Sequence, residues 1–540
     1  MTPRPVVLSM ICVVLSASAC GKSGPPVGEI AKSIQGRVKT SASVTIDGER
    51  LLKPKAVARF YEARSSRPAW DGKDAEQVVQ AIRDIEKDGL TPSDYHLAAL
   101  EKRIADRKSE SAESAGDLDL LLTDAVAGLI DHVRYGRVWP QSLDSTWNVD
   151  PRQGAPPLEK EVEKVAAAGS PASAIEGEKL DHFIYRGLKG ALAELREIAA
   201  KGGWPTVPNG KPIKPGATDP RIPLVRARLV VSGELRAQAK TDSPRYDGEL
   251  QKAVELFQAR HRFNPDGIID QGVIAAMNVS AASRADQVRV DLERSRWVLP
   301  GLSDEFLLVN LPAFKAYLIR GGKNVWESRT QVGDEAKQTP TFRADMKTIV
   351  LNPDWTVPPM ILREEVLVGM RKDRNYLAEK RLVVFDKDNH EIDPSSIDWN
   401  HATPESFAYT IRQAAGNDNA LGRVKFLFPN PYSIYLHDTP SKTLFDAERR
   451  TFSHGCIRLE KPLELAERLL AGQDGWNSDK INEVLGEGKT QYVNLEHPLP
   501  VLIVYWTVSV GASGEIRYMQ DFYGLDPAVL AALGAPPRRR

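Results

Sequence analysis

The chain has 540 residues, 42% of them hydrophobic, with 72 lysines and arginines balanced by 72 aspartates and glutamates. That length supports several hydrophobic cores, and the zero net charge excludes broad electrostatic attraction to nucleic acid. Of the three cysteines only Cys456 lies beyond residue 20, so a framework of disulfides is excluded too.

The first 20 residues read as a leader. Arg4 supplies a basic start, Val6–Leu15 an apolar run, and Ala17-Ser18-Ala19-Cys20 an ending. The run is too short to span a bilayer and suits a secretory signal. Two kinds of processing stay open, cleavage after the small-x-small Ala17-Ser18-Ala19 and lipidation of Cys20, for which the leucine expected three residues earlier is absent. Either one predicts export to the periplasm or cell envelope. Membrane attachment would then rest on a lipid at Cys20. Beyond residue 20 no run is long enough to cross a membrane. Val501–Val510, rich in Val, Tyr, Trp and Thr, reads as a buried strand.

Residues 21–53 begin with Gly, Ser, Lys and Pro and read as a tether. From 54 to 218 the pattern is helical. Val57, Phe60 and Tyr61 recur at helical spacing, as do Val78, Val79, Ile82 and Ile85 within 74–87, and 118–135 is a longer amphipathic helix. The proline- and glycine-rich stretch 202–219 reads as a loop. Residues 219–282 form a small unit of three helices (221–231, 249–260 and 271–277) with a turn at Asn264-Pro265-Asp266-Gly267. The order of these pieces resembles peptidoglycan-binding-like domains, carried most by 249–258 and by Phe263-Asn264-Pro265-Asp266-Gly267-Ile268-Ile269-Asp270. From 300 to 525 short apolar and β-branched runs predict strands, at 306–310, 316–320, 325–332, 347–351, 424–428 and 433–436. Residues 361–413 interrupt them with a helix and read as an insertion that caps a site. Residues 526–540 read as a tail. The expected fold is multidomain α+β: a helical N-terminal domain, the three-helix unit, and a mostly-β domain with a helical insertion.

A solitary cysteine near histidines is a candidate nucleophile. At an ordinary pKa a thiol is only a few per cent thiolate at neutral pH, so it needs a base or a cationic neighbour. His437, at the end of an expected strand, and His454, two residues before Cys456, are within sequence reach. Gly455 allows positive φ and close backbone approach, so the Gly455 and Cys456 amides could face an oxyanion. By themselves these residues also fit blander roles: a buried apolar thiol, a surface cation at Arg458, ordinary core histidines. A metal site built from His437, His454 and Cys456 lacks the short repeated ligand spacings of zinc sites.

The combined pattern resembles YkuD-type L,D-transpeptidases: His437, then Ser453-His454-Gly455-Cys456 with Arg458, together with Thr339-Pro340-Thr341-Phe342, Gly422-Arg423-Val424-Lys425-Phe426 and Tyr435-Leu436-His437-Asp438. The helical region, the binding-like unit and the insertion are similar to the large multidomain branch of that family. The resemblance implies Cys456 as nucleophile and His437 as general base, later acid. It implies a group at or beside Ser453 that orients the imidazole, Gly455 and Cys456 amides as oxyanion donors, and His454, Arg458 and Tyr435 around the substrate. The implied reaction joins two peptidoglycan tetrapeptide stems, donor and acceptor, through a thioester, with release of terminal D-alanine and formation of a 3→3 cross-link. No metal or organic cofactor is implied. Water or another amine as acceptor, or a wall-binding scaffold without activity, are the competing readings.

Overall fold

The structure is a computed structural model that describes residues 25–39, 45–107, 111–144, 147–237, 241–511 and 514–537. The leader, with Cys12 and Cys20, lies outside the described residues.

The N-terminal region is built around helix Ala112–Tyr135, whose residues from Gly116 to Val133 are all buried. A helix apolar on every side belongs in a core, but this one also buries four aspartates. Each is satisfied by the segments it anchors. Asp119 accepts from Tyr61 Oη and from the Ala69 and Trp70 amides. Asp124 accepts from the Leu52 and Lys53 amides at 2.6 and 2.7 Å, and Asp131 pairs with Lys53 and Arg152. Asp117 meets Arg37 and Arg103. Arg37 belongs to helix Val27–Val38, which packs on this core through Ile34 and is followed by the hairpin 45–50. The segment expected as a tether is therefore largely folded, because its few apolar residues find a surface to cover.

Helices Ile222–Val231, Gly248–Arg260 and Gln271–Asn278 enclose a separate small core that includes Val225, Leu250, Phe257 and Ile274. Helix Ala281–Val298 then runs into the centre of the molecule. It falls between the domains expected from the sequence and joins them. Its polar residues are buried and paired: Glu293 accepts from the Val138 amide at 2.6 Å and pairs with Arg296, and Arg294 bridges Asp291 and Asp526.

The β-domain is a nine-stranded sheet. In chain order its strands are β1 (Glu305–Asn310), β2 (Lys315–Arg320), β3 (Lys323–Gly333), β4 (Phe342–Leu351), β5 (Val424–Leu427), β6 (Leu436–His437), β7 (Thr451–Ser453), β8 (Ile457–Leu459) and β9 (Gln491–Val504). The ladder runs β7-β3-β8-β6-β5-β4-β9-β1-β2, and β2 pairs back with β3, so the sheet closes on itself. Alternation divides its residues between two cores. Leu307, Val309, Val501 and Ile503 point inward with the apolar faces of helices Pro462–Leu470 and Ser478–Glu487, while Phe306, Leu308, Leu502 and Val504 pack on the N-terminal helices. Burial on both faces explains why these strands read as continuous apolar runs.

Three further expectations need correction. The insertion carries a four-stranded antiparallel sheet, ordered 355–356, 410–413, 382–385 and 391–392, beside the expected helix. It has its own core around Val366, Leu367, Val384, Trp399 and Ile411. The expected tail contains helix Asp526–Gly534, which buries Val529 and Leu533 against the N-terminal core. The strand expected over 433–436 pairs only at Leu436–His437. Before it, Ser433 has φ of +56°, and the Asn430 side chain satisfies both the amide and the carbonyl of Ile434.

Candidate active site

Six of the seven residues singled out in the sequence, namely Tyr435, His437, Ser453, His454, Cys456 and Arg458, line one cavity of about 500 Å³. Sheet topology brings them together. Strands β6 and β8 are parallel neighbours, with Leu436 opposite Ile457 and His437 opposite Arg458. Cys456 immediately precedes β8, and the Ile457 amide donates to Tyr435 O at 3.1 Å. The fifteen residues between His437 and Ser453 form the crossover that parallel pairing requires.

His437 is buried, and its Nδ1 lies 2.5 Å from the Asp438 carbonyl. A carbonyl only accepts, so Nδ1 carries the proton and Nε2 is left with a lone pair. Burial, reinforced by the positive charge of Arg458, pushes the imidazole pKa down to about 3, although the Asp438 and Leu421 carbonyls pull the other way. The ring is therefore neutral at neutral pH and able to take a proton. Asp438 is itself held: its carboxylate accepts from the Arg423 amide at 2.9 Å and from Lys442 Nζ at 2.6 Å. Gly422, at φ +61°, leaves the room that this carboxylate occupies.

Cys456 is the single free cysteine among the described residues. Its thiol points to Ser433 O at 3.7 Å. Burial pushes the thiol pKa up, against lowering by the Tyr435 amide and phenol and by Lys425 and Arg458. The resting pair is thus a neutral thiol with a neutral imidazole. The nearby cations Lys425 and Arg458 favour the thiolate form. Tyr435 receives a hydrogen bond from Trp355, and its phenol pKa is raised, first by burial and then by Cys456.

Ser453 does not orient the imidazole. Its hydroxyl donates to Cys456 O at 2.5 Å and accepts from the Gly455 amide at 3.1 Å, clasping the loop around the cysteine. This corrects two expectations. The Asp438 carbonyl, rather than a group at Ser453, positions His437, and the Gly455 amide is engaged by Ser453 instead of facing the cavity. Gly455 has φ of +113°, and its carbonyl accepts from Thr339 Oγ1 at 2.7 Å. Thr339 in turn receives the Gly333 amide at 2.9 Å.

His454 turns toward the insertion and meets Glu365 at 3.1 Å, while Lys337 pairs with the adjacent Glu364. Both glutamates lie in a π-helical turn, Leu362–Val366. Pro358, Met360 and Ile361 of the same segment line the cavity, so the insertion forms one of its walls. Arg458 Nη1 donates to Gln331 at 3.2 Å, and its buried Nε has no hydrogen-bond partner among the described residues. Among the described residues no group of three or more His, Cys, Asp or Glu is arranged to hold a metal ion. Sequence reasoning missed Thr339, Asp438 and Glu365. The first two stood within the quoted Thr-Pro and His-Asp motifs, but nothing in their spacing distinguished them, and Glu365 carried no signal.

Comparison with known proteins agrees with this arrangement. Residues 304–484 match the YkuD family, described as the L,D-transpeptidase catalytic domain; residues 219–277 match a "Putative peptidoglycan binding domain", and residues 55–192 a scaffold domain. A protein of Haemophilus influenzae described as "Putative L,D-transpeptidase" is 38% identical over 220 residues, which is 41% of this chain and 44% of that relative. The chain thus spans less than half the length of this curated relative. The crystal structure of an L,D-transpeptidase (residues 123–326) from Xylanimonas cellulosilytica aligns with 55% of this chain and 99% of its own at 13% identity, with a TM-score of 0.16, a likeness too slight to use. The fold and the cavity define a closed β-domain with a histidine at the end of one strand and a cysteine just before its parallel neighbour. Residues 304–484 of that domain are similar to the L,D-transpeptidase catalytic domain of the YkuD family, and they follow regions similar to a scaffold domain and a peptidoglycan-binding domain. No helix among the described residues is long and apolar enough to cross a membrane.

Proposed function

We propose that the protein is an L,D-transpeptidase that forms 3→3 cross-links in peptidoglycan. Cys456 attacks the carbonyl between residues three and four of a tetrapeptide stem as His437 Nε2 takes the thiol proton. The resulting oxyanion is met by the Cys456 amide, a donor of the kind worth about 3 kcal/mol in a transition state. Collapse expels D-alanine, whose amine receives the proton from His437, and leaves a thioester. An amine of a second stem, on its diaminopimelate, then attacks with His437 again as base, and the thiol is regenerated. Ser453 holds the loop, Gly455 supplies its positive φ, and Tyr435, His454 and Arg458 surround the donor. The insertion wall limits the access of water to the thioester.

One observation supports this reading: the buried imidazole of His437, with Nδ1 2.5 Å from the Asp438 carbonyl, lines the same cavity as Cys456. Action on peptidoglycan also implies that the leader directs export to the cell envelope, with lipidation of Cys20 as the route to membrane attachment. Incubation of the full chain with disaccharide-tetrapeptides, followed by separation of products, tests the function. Dimers joined 3→3 are expected, and none from Cys456→Ala. Tripeptide monomer alone would make the protein an L,D-carboxypeptidase, and full cross-linking by His437→Ala would refute the assigned base. A carbapenem, which acylates the same nucleophile, should add covalently to Cys456 and leave Cys456→Ala unmodified by mass spectrometry.

A further inference from the structure

Lys425 is a cation held inside the reactive cavity without an anion beside it. It stands on β5 directly opposite His437 and lines the cavity that contains Cys456. Its Nζ sits 3.9 Å from the centroid of the Tyr435 ring. No ion pair or hydrogen bond joins this ammonium to another described side chain, and the carboxylate it senses, that of Asp354, lies beyond ion-pair distance on the rim of the same cavity. The other lysine close to His437 is different: Lys442 is fully occupied by Asp438 and by the Glu460 carbonyl.

An ammonium has three donors and no acceptor. The Tyr435 ring face offers a cation–π contact but accepts no conventional hydrogen bond. Burying a cation without a partner is unfavourable, and burial indeed lowers the Lys425 pKa. A lysine that only packed its stem would carry its head to solvent. Here the head is turned into the cavity, near a second cation, Arg458, whose Nε also lacks a hydrogen-bond partner among the described residues. Two under-satisfied cations in one cavity call for an anion from outside the chain.

We propose that the Lys425 ammonium is the receptor for a carboxylate of the donor stem, so that the cavity selects an anionic donor. The inference rests on the transpeptidase reading and adds the specificity element to it. The donor carries two carboxylates that could reach this cavity, that of the terminal D-alanine and the free one of diaminopimelate. The same ammonium binds either.

The test uses the full chain and three donors: the disaccharide-tetrapeptide, the same compound amidated at its terminal D-alanine, and the same compound amidated at diaminopimelate. Initial rates give KM and kcat for wild type, Lys425→Gln and Lys425→Arg. For the wild type, one of the two amides should raise KM about tenfold or more, as loss of a hydrogen bond between charged groups predicts. The amide that does so identifies the carboxylate. Lys425→Gln should show the raised KM with every donor and no preference for the acid, and Lys425→Arg should recover part of that preference. If wild type treats all three donors alike, the subsite is wrong whatever the variants do. If Lys425→Gln keeps the preference but shifts the pH profile of Cys456 alkylation, the lysine serves the thiolate and the subsite is again wrong. Absence of any turnover, thioester or dimer with wild type would remove the transpeptidase reading itself, an outcome distinct from turnover without discrimination.

Discussion

Thr339→Val separates the support of the catalytic loop from its chemistry. The Thr339 hydroxyl is buried, donates to Gly455 O at 2.7 Å and accepts from the Gly333 amide at 2.9 Å. Valine keeps the shape and removes both bonds, leaving a buried carbonyl and a buried amide unpaired. Each such group costs about 1–3 kcal/mol, so the loop loses on the order of 2–6 kcal/mol of local stability. The Gly455–Cys456 peptide is thereby freed to rotate, and a displacement of about 1 Å at a reacting atom lowers rates on the order of a hundredfold. Hydrogen exchange should show lost protection at the Gly333 amide, and acylation by a carbapenem, followed by mass spectrometry, should slow by one to two orders of magnitude, while Thr339→Ser stays close to wild type. A Thr339→Val protein that acylates and exchanges like wild type would refute the assignment of this hydroxyl as the support of the loop.

Two other perturbations act on the same loop and base. In Gly455→Ala a Cβ would sit 3.3 Å from Ile434 Cδ1 at a φ of +113° that side chains rarely adopt; the expected penalty is about 1–3 kcal/mol, seen as a lower unfolding temperature together with slower acylation, and wild-type acylation would count against a strained loop. His437 is pushed down to about 3 in the folded protein from an ordinary value near 6.5. Above about pH 6.5 it is neutral in both states and contributes nothing to pH dependence. As pH falls below that, the unfolded chain binds the proton and the folded one does not, so stability drops by about 1.4 kcal/mol per pH unit down to the folded pKa. His437→Gln should flatten the fall in thermal stability between neutral pH and about pH 5, where this histidine accounts for roughly 2 kcal/mol. An unchanged slope would mean that the imidazole is not held neutral.

The cysteine and histidine proposed as nucleophile and base were legible because their signal is local: one thiol, a histidine at a strand end, and a glycine that a tight loop requires. Several strands of the sheet were legible because they are apolar on both faces, whereas its closure was not. What stayed hidden was chemistry that depends on distant partners. Helix Ala281–Val298 has no apolar stripe to read, since Asp291, Glu293, Arg294 and Arg296 are all buried and bonded to other segments. The sheet of the insertion is built from strands of two to four residues within charged sequence, too short to show a period. Helix Val27–Val38 buries only Ile34 completely, and it is folded because a neighbouring core offers that residue a place. Ser453 was noticed for its position beside the histidine and cysteine. Its actual use depends on a loop turn that brings Cys456 O back onto it.

The end of the β-domain, up to the helix that opens the segment read as a tail, is part of what holds that loop. Thr339, which supports Gly455, donates its own amide to Tyr523 Oη at 3.2 Å, and that phenol donates to Gly333 O at 2.6 Å. The Tyr523 amide is received by Tyr505 Oη at 2.7 Å, and Tyr505 donates to Asp521 at 2.8 Å. Asp521 also accepts the Leu525 and Asp526 amides at the start of the last helix, both at 2.9 Å. Asp526 pairs with Arg294 of the central helix, whose Asp291 accepts the Val508 amide at 2.6 Å just beyond β9. Every link is a hydrogen bond or ion pair between buried or partly buried groups, the environment in which an unmade bond is most costly. The position of Cys456 is therefore set by contacts that reach from the catalytic loop to the helix joining all the domains. The central helix at the end of this network also packs on helix Phe183–Ala200 of the N-terminal region, so the placement that the proposed chemistry requires is tied to the core shared by the N-terminal helices and the β-domain.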